Sequence, residues 1–441
     1  MGNDPSFVIE TKSPAPLQAS PTVELLSLAV HRICTTPPRL IASPPTQPRR
    51  AAVSLVMRIR PPEGYPLPEQ SAYEVPSLEK FFEQDWARHP EARAELLFIR
   101  RDKSKQNFKD VRGAGAGAST NGASAHVAFP GGRTEESDEG ALYTAMRQTW
   151  EEIGLDLAEK EFTCVGQLDD REITTSLGKR LLMILSPFVF LYLSPYEMTI
   201  EPPEEESDVT LHWVPLSALL SPLPKWSFVT VDISSRLAPR HNILRILVRW
   251  LVGNMRFRAL VITEEDIEEL DDLHVSSKAW EKRREREGSP KEELRLWGLT
   301  LGMTLDLIRF MYPRRSELPP GDPSSSEFDE IGNVALMPSM ASVFPRFSIP
   351  DVNFWIWVFG RRYRAVLRAW EASVVRSRIT PGGSSTERRI NWSGQALSTF
   401  YAAVRKALIV VIVGRALGLL AALFGLGWWL RKRFDGWLAD V

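Results

Sequence analysis

Phe129-Pro-Gly-Gly-Arg-Thr-Glu-Glu-Ser-Asp-Glu-Gly-Ala-Leu-Tyr-Thr-Ala-Met-Arg-Gln-Thr-Trp-Glu-Glu-Ile-Gly-Leu155 decides how this chain is read. Pro130-Gly131-Gly132 demands a tight turn. Acidic residues then lead into a helix predicted over 140–153, which stops at Gly154, a residue suited to the left-handed position after a helix. Gln148, Glu151 and Glu152 lie three and four apart and share one broad face, and Arg147 precedes Glu151 by one turn and can brace it. Leu142, Ala145, Met146, Thr149 and Ile153 form the opposite, packing face. Carboxylates converging at a helix end beside a glycine turn make a hard-oxygen site suited to Mg²⁺ or Mn²⁺. Such ions clamp diphosphate oxygens and lower the pKa of an attacking water. A solvated acidic helix end is the plain alternative. The joint occurrence of turn, spacing, arginine, paired glutamates and closing glycine argues against it.

The segment resembles the Nudix box of Nudix hydrolases, whose general pattern runs Gly, five residues, Glu, seven residues, Arg-Glu, an apolar residue, any residue, Glu-Glu, any residue, Gly. Gly132 is followed after five residues by Asp138 and after six by Glu139, so the loop is one residue longer than the general form. That spacing, with Thr144-Ala145 before the arginine, is similar to the coenzyme A diphosphatase branch. Leu96-Leu97-Phe98-Ile99-Arg100 ahead of Phe129-Pro130-Gly131-Gly132 resembles the same branch, and Leu296-Trp297-Gly298-Leu299-Thr300 looks like the helix that closes the fold. The likeness covers roughly 88–232 and 290–312.

What the resemblance implies is an α/β fold, a Nudix-type α/β/α sandwich with a mixed sheet. It implies catalytic roles for Glu151, Glu152, Arg147 and Gln148. It implies metal ligation by Glu151, Glu152, Gln148 and Glu139, with Asp138 an alternative to the last. Substrate contacts fall to Gly131, Gly132, Arg100 and Arg101, with Lys103 beside them. One position departs from the family: the glutamate that follows the arginine is Gln148 here. An amide oxygen can still ligate, but the site loses one negative charge, so weaker metal binding is expected. For the general base, Glu172 and Glu204-Glu205-Glu206 are candidates, each equally readable as an exposed acidic loop residue. The implied reaction is divalent-metal-dependent hydrolysis of a nucleoside diphosphate derivative, first coenzyme A or an acyl-CoA, second ADP-ribose or a dinucleotide. The alternative is a catalytically weak binding or scaffold protein at a membrane.

Working outward, the 441 residues carry 54 Lys and Arg against 55 Asp and Glu, a net charge of -1, and two cysteines, Cys34 and Cys164. That excludes a disulfide scaffold and gives no whole-chain reason to expect a nucleic-acid partner. Fourteen of the 33 prolines fall in the first 80 residues, and Pro-Pro pairs at 37–38, 44–45 and 61–62 break helices. Residues 1–80 are therefore read as a Pro-rich, mostly disordered leader, followed by the domain core over 81–232. Within it, strands are predicted near 95–100, 126–129, 181–193 and 212–216, and the Gly/Ala stretch 113–125 reads as a surface insertion. Residues 233–290 read as an insertion holding a basic amphipathic helix over 242–262, residues 291–314 as the closing helix, 315–350 as a linker, and 351–400 as an aromatic and basic segment. Phe354-Trp-Ile-Trp-Val-Phe359 is too short to span a bilayer.

Residues 401–441 form a hydrophobic tail. Ala407 to Leu430 is apolar except for Arg415, and its thirteen Leu, Ile, Val and Phe residues together favour insertion by about 4–8 kcal/mol, against about 2.5–3.5 kcal/mol for a central arginine. Arg405-Lys406 and Arg431-Lys432-Arg433 flank it. The tail is read as a transmembrane anchor that leaves the preceding domain in the cytosol, at a mitochondrial, peroxisomal or ER membrane.

Overall fold

The computed structural model describes residues 20–44, 49–101, 125–174, 181–198, 200, 209–221, 224–232, 234, 246, 249–250, 253–263, 293–311, 344–369 and 392–439. Its centre is a strand that the sequence reading had placed in the leader. Arg50–Arg60 (β1) carries seven apolar residues among its eleven, and Leu55, Val56 and Met57 are fully buried. Such a run suits a strand covered on both faces. The proline pair at 61–62 lies just outside it and ends it. That pair was read as a sign of disorder, whereas a proline beside a strand merely stops the ladder. The folded part also includes Pro21–Thr35 (α1), which starts with a proline at its first helical position and buries Leu25, Leu26, Ala29, Val30 and Ile33. Residues 21–35 and 50–60 of the expected leader therefore belong to the folded part.

β1 pairs antiparallel with Arg93–Arg101 (β2), Met57 standing opposite Leu96, and parallel with Leu181–Tyr192, Arg50 standing opposite Ile184. Ala125–Ala128 (β3) pairs with β2, and Gly131–Arg133 (β4) pairs with the start of β1. Phe162–Gln167 (β5) and Arg171–Thr174 (β6) pair with Leu181–Tyr192 (β7), and Val209–Pro215 (β8) pairs with β2. Beyond β3 the sheet continues through Glu293–Trp297, Met255–Thr263 and Lys225–Val231. In chain order these last three are β9 (Lys225–Val231), β10 (Met255–Thr263) and β11 (Glu293–Trp297). The sheet is mixed, as expected, with twelve strands among the described residues.

Helices cover both faces. Ala141–Ile153 (α3, after the short Leu78–Phe81, α2) packs on Ala52, Val56, Leu97, Ile99, Phe188 and Phe190. The other face holds the larger core, with α1 and Gly298–Met311, reached after the short Leu216–Leu219 (α4) and here α5. This is the α/β/α sandwich read from the sequence, and α5 is the closing helix, starting at Gly298 rather than Leu296.

The basic helix expected over 242–262 is corrected. Ile246, Arg249 and Trp250 are helical, but Met255–Thr263 is a strand, with Ala259 and Leu260 buried between two neighbours. Gly253 ends the preceding turn with φ 73°, its N–H bonded to the Arg249 carbonyl at 2.9 Å. The run of Leu, Val, Ile and Thr after Gly253 has strand character that the helical spacing of the preceding residues masked. The Gly/Ala stretch up to residue 124, Lys103, Glu204–Glu206 and the linker up to 343 lie outside the described residues.

At the C-terminal end, Pro350–Phe359 (α6) and the 48-residue Trp392–Ala439 (α7) pack together over Val352, Ile356, Phe400, Val404, Leu408 and Val411, against β9 and β10. Among the described residues, one helix, over Ser398–Lys432, is long and apolar enough to cross a membrane.

Candidate active site

α3 is anchored first by apolar packing and then by two hydroxyls. Ala145, Thr149 and Ile153 are buried against the sheet. Ser54 of β1 donates to the Ala145 carbonyl at 3.1 Å and accepts from Thr149 Oγ1 at 2.8 Å. Leu142, expected on the packing face, is 39 % exposed and does not join it. Gly154 caps the helix in the left-handed conformation, its N–H on the Trp150 carbonyl. The opposite face then looks out over the Pro130-Gly131-Gly132 turn.

That turn requires glycine at residue 131. Gly131 has φ 149°, and a Cβ there would lie 2.3 Å from the Ala52 carbonyl oxygen. A Cβ on Gly132 would lie 1.7 Å from Gln148 Oε1. The amide of Gln148 thus rests on the bare backbone of Gly132, and its Nε2 donates to Glu151 Oε2 at 2.8 Å.

Arg147 organises the helix from the other side. Its guanidinium bonds both oxygens of Asp138, at 2.7 and 2.8 Å, and both of Glu151, at 2.8 and 3.0 Å. Asp138 has a fully buried side chain and also accepts from Thr144 Oγ1 and the Glu135 N–H. The hydrogen bonds from Arg147 hold the Asp138 carboxyl far below the usual carboxylate range, and the same pair pushes the Arg147 guanidinium up. Because the folded-state pKa is depressed, the stabilisation is present above the unfolded value of about 3.9 and is lost as pH falls below it. Asp138→Asn is expected to lower stability at pH 7 by about 1–3 kcal/mol. It should also flatten the acid limb of a stability-versus-pH curve; an unchanged limb would remove Asp138 from this role.

Glu152 faces the glycine turn. It accepts the Gly131 N–H at 3.2 Å and forms a two-pronged ion pair with Arg101 at the end of β2. The structure therefore gathers Gln148, Glu151, Glu152, Arg147, Arg101, Gly131 and Gly132 around one end of α3. Arg100, the neighbour of Arg101 on β2, is half-buried and points to the other face of the strand.

Glu139 is not brought in. It is exposed and precedes the first turn of α3, about three helical turns from Glu152. Its neighbour Asp138 is turned to Arg147. Among the described residues, no group of three or more His, Cys, Asp or Glu side chains could hold a metal ion. What remains is two adjacent carboxylates plus the Gln148 amide, at the C-terminal end of a helix whose dipole favours a cation. Hard oxygen donors of this kind fit a divalent cation, with one charge fewer than three carboxylates would give. The Arg101 guanidinium already sits as a cation on Glu152.

Glu172 lies on β6 opposite Ile184, half-buried. The residue missed beside it is Asp170. Its carboxylate is fully buried and accepts the Ile41 N–H (2.9 Å), Arg50 Nη2 (2.8 Å), Gln167 Nε2 (2.7 Å) and Ser186 Oγ (2.8 Å). This hub ties the stretch between α1 and β1 to β7. His126, isolated in sequence, accepts from Trp297 Nε1 at 3.0 Å across the β3–β11 junction.

Residues 90–232 match the model of the NUDIX domain family. An uncharacterized protein of Schizosaccharomyces pombe is 35 % identical over 139 residues, covering 31 % of this chain and 41 % of its own length. The match thus spans about two fifths of that relative. Among solved structures, a C. elegans Ap4A hydrolase binary complex is 12 % identical over 46 % of this chain and 96 % of its own, with a TM-score of 0.20. The M. smegmatis Nudix hydrolase RenU is 15 % identical over 46 % of this chain and 80 % of its own, again at 0.20. At that score neither bears on function. The family match, the box geometry and the sandwich agree, and residues 90–232 of this chain are similar to a Nudix domain.

Proposed function

We propose that this chain is a membrane-attached Nudix hydrolase that splits the diphosphate of a nucleoside diphosphate derivative, with coenzyme A or an acyl-CoA as the first substrate and Mg²⁺ or Mn²⁺ as the metal. The observation that carries the reading is the pair Glu151 and Glu152, side by side over the Gly131-Gly132 turn and each fixed by an arginine. A divalent cation held by Glu151, Glu152 and the Gln148 amide oxygen would neutralise diphosphate charge and acidify a water.

The chain's own groups do the rest. The bare backbone at Gly131-Gly132 lets a diphosphate approach closely. Arg101 is placed to leave Glu152 and take up a phosphate oxygen, where a planar guanidinium binds best. Arg147 keeps Glu151 oriented, and the buried Asp138 holds Arg147 in place. Glu172 remains the candidate general base on the described part of the chain. The C-terminal apolar helix supplies membrane attachment, with the Nudix domain on the cytosolic side.

A second reading, a binding or scaffold protein of Nudix fold, is favoured by Gln148 and by the two arginines already engaged with the glutamates. Full-length protein in detergent, assayed with coenzyme A, ADP-ribose and NADH plus Mn²⁺, separates the readings. Turnover of coenzyme A that is lost in Glu152→Gln supports the hydrolase. Absence of turnover with all three would leave the binding reading standing.

A further inference from the structure

Ile412 to Leu430 is exposed at every position except the half-buried Arg415, including Leu417 (61 %), Leu423 (65 %) and Phe424 (80 %). A protein partner would cover one side of such a helix; a helix apolar on all sides suits lipid. These 19 residues rise about 28 Å, close to the ~30 Å hydrocarbon core. Val411, the last residue of α7 seen buried among the described side chains, marks where the protein core ends and the free helix begins.

The arginine inside the apolar run sits at this rim. Arg415 pairs with Asp351 at the start of α6, Nη2 to Oδ2 at 2.6 Å, and its Nη1 reaches the Trp250 carbonyl at 3.3 Å. A cavity of about 480 Å³ lined by Trp250, Ile349, Arg415, Gly418 and Leu419 opens at the same level.

From there α6 and the helical residues 361–369 run back along α7, antiparallel, because Asp351 meets Arg415 and Tyr363 meets Phe400 with ring centroids 5.2 Å apart. Their outward side carries first Phe354 (56 % exposed) and Trp357 (62 %), then Arg361, Arg362 and Arg368, also exposed. Arg364 lies over the Trp357 ring at 4.7 Å. Arg361 thereby comes roughly level with Arg405 and Lys406, about 10 Å beyond the first lipid-facing turn. Residues 350–369 and 392–432 contain a single carboxylate, Asp351, against nine Arg and Lys side chains. Asp351 is committed to Arg415, and among the described residues no carboxylate pairs with Arg361, Arg362, Arg364 or Arg368.

We infer that α6, the helical residues 361–369 and the buried half of α7 form a collar at the membrane. Its aromatic rim lies at the hydrocarbon boundary and its arginines bind the anionic headgroups of the leaflet from which α7 inserts. The inference rests on the membrane attachment proposed above and adds lipid selectivity and depth. Aromatic and basic side chains at those two depths match the interfacial belt and the headgroup zone of a bilayer. Six collar cations, Arg361, Arg362, Arg364, Arg368, Arg405 and Lys406, outnumber Arg431, Lys432 and Arg433 at the far end, which puts the collar on the cytosolic side.

The test is flotation of the full-length chain with vesicles of phosphatidylcholine alone or with about 30 % phosphatidylserine. Wild type should partition at least tenfold better into the anionic vesicles. The triple variant Arg361→Gln, Arg362→Gln, Arg368→Gln should lose most of that gain while binding neutral vesicles as before, and the corresponding Arg→Lys variant should keep it. A triple Gln variant that retains the full gain overturns the collar, most directly if Arg431→Gln, Lys432→Gln, Arg433→Gln loses it instead. Failure of wild type to bind neutral vesicles strikes the helical anchor itself, a separate result.

Discussion

Restoring a carboxylate at residue 148 should tighten Mn²⁺ binding by about 10- to 100-fold, the range seen when support to a metal site is gained or lost. In Gln148→Glu, the third oxygen donor beside Glu151 and Glu152 becomes charged. The same change deletes the 2.8 Å hydrogen bond from Gln148 Nε2 to Glu151 and sets two carboxylates against each other. The metal-free variant is therefore expected to be less stable by about 1 kcal/mol, and its melting temperature should respond more strongly to added Mn²⁺ than that of wild type. Isothermal titration and thermal melts, with and without metal, read both effects without depending on a substrate. If the affinity of Gln148→Glu equals that of wild type while Glu152→Gln also leaves it unchanged, the face built from Gln148, Glu151 and Glu152 is not the metal face.

Removing the buried carboxylate of Asp170 should destabilise the fold by about 3–5 kcal/mol, the usual consequence of stripping a buried charge from its partners. Asp170→Ala leaves the Arg50 guanidinium, the Ile41 N–H, the Gln167 amide and the Ser186 hydroxyl without their common acceptor. Arg50 opens β1, so the loss falls on the strand in the middle of the sheet. Asp169, next in sequence, is exposed and accepts the Arg39 N–H at 2.8 Å, and Asp169→Ala should change stability by less than about 1 kcal/mol. Urea unfolding of the two variants measures the contrast. Equal, small losses in both would show that the hub is not structural.

The box was legible because its chemistry is local. Turn, helix, closing glycine and arginine brace all lie within 27 residues, and α3 and the β4 turn appear where the spacing put them. Glu139 misled because a sequence pattern counts residues, while a helix separates them: three turns of α3 stand between it and Glu152. Arg101 and Asp170 show the opposite limit. Their partners are 51 and up to 129 positions away, and nothing in a short window reveals which carboxylate an arginine will meet. β1 was hidden for another reason. Its prolines were weighed as helix breakers across the whole region, although the apolar run between them is what a doubly covered strand requires. The strand Met255–Thr263 was lost by extending one period past Gly253, where the backbone changes hand. In the tail, composition already indicated lipid, but only packing shows that Arg415 is answered by Asp351.

The position of Arg50–Arg60 bears on where this chain can be cut. The family match begins at residue 90, yet the strand between β2 and β7 comes from 30 residues and more upstream. A fragment starting at the match would hold two sheet halves separated by an empty slot about two strand spacings, some 9.5 Å, across. The backbone N–H and C=O groups of four residues on β2 and eight on β7 would then lose their partners. Such a slot admits any extended segment of the right pattern, including β1 from a second copy. The segment 50–60 is in that sense a donor strand that happens to be supplied in cis, and the autonomy of the sheet domain is decided there rather than at the box.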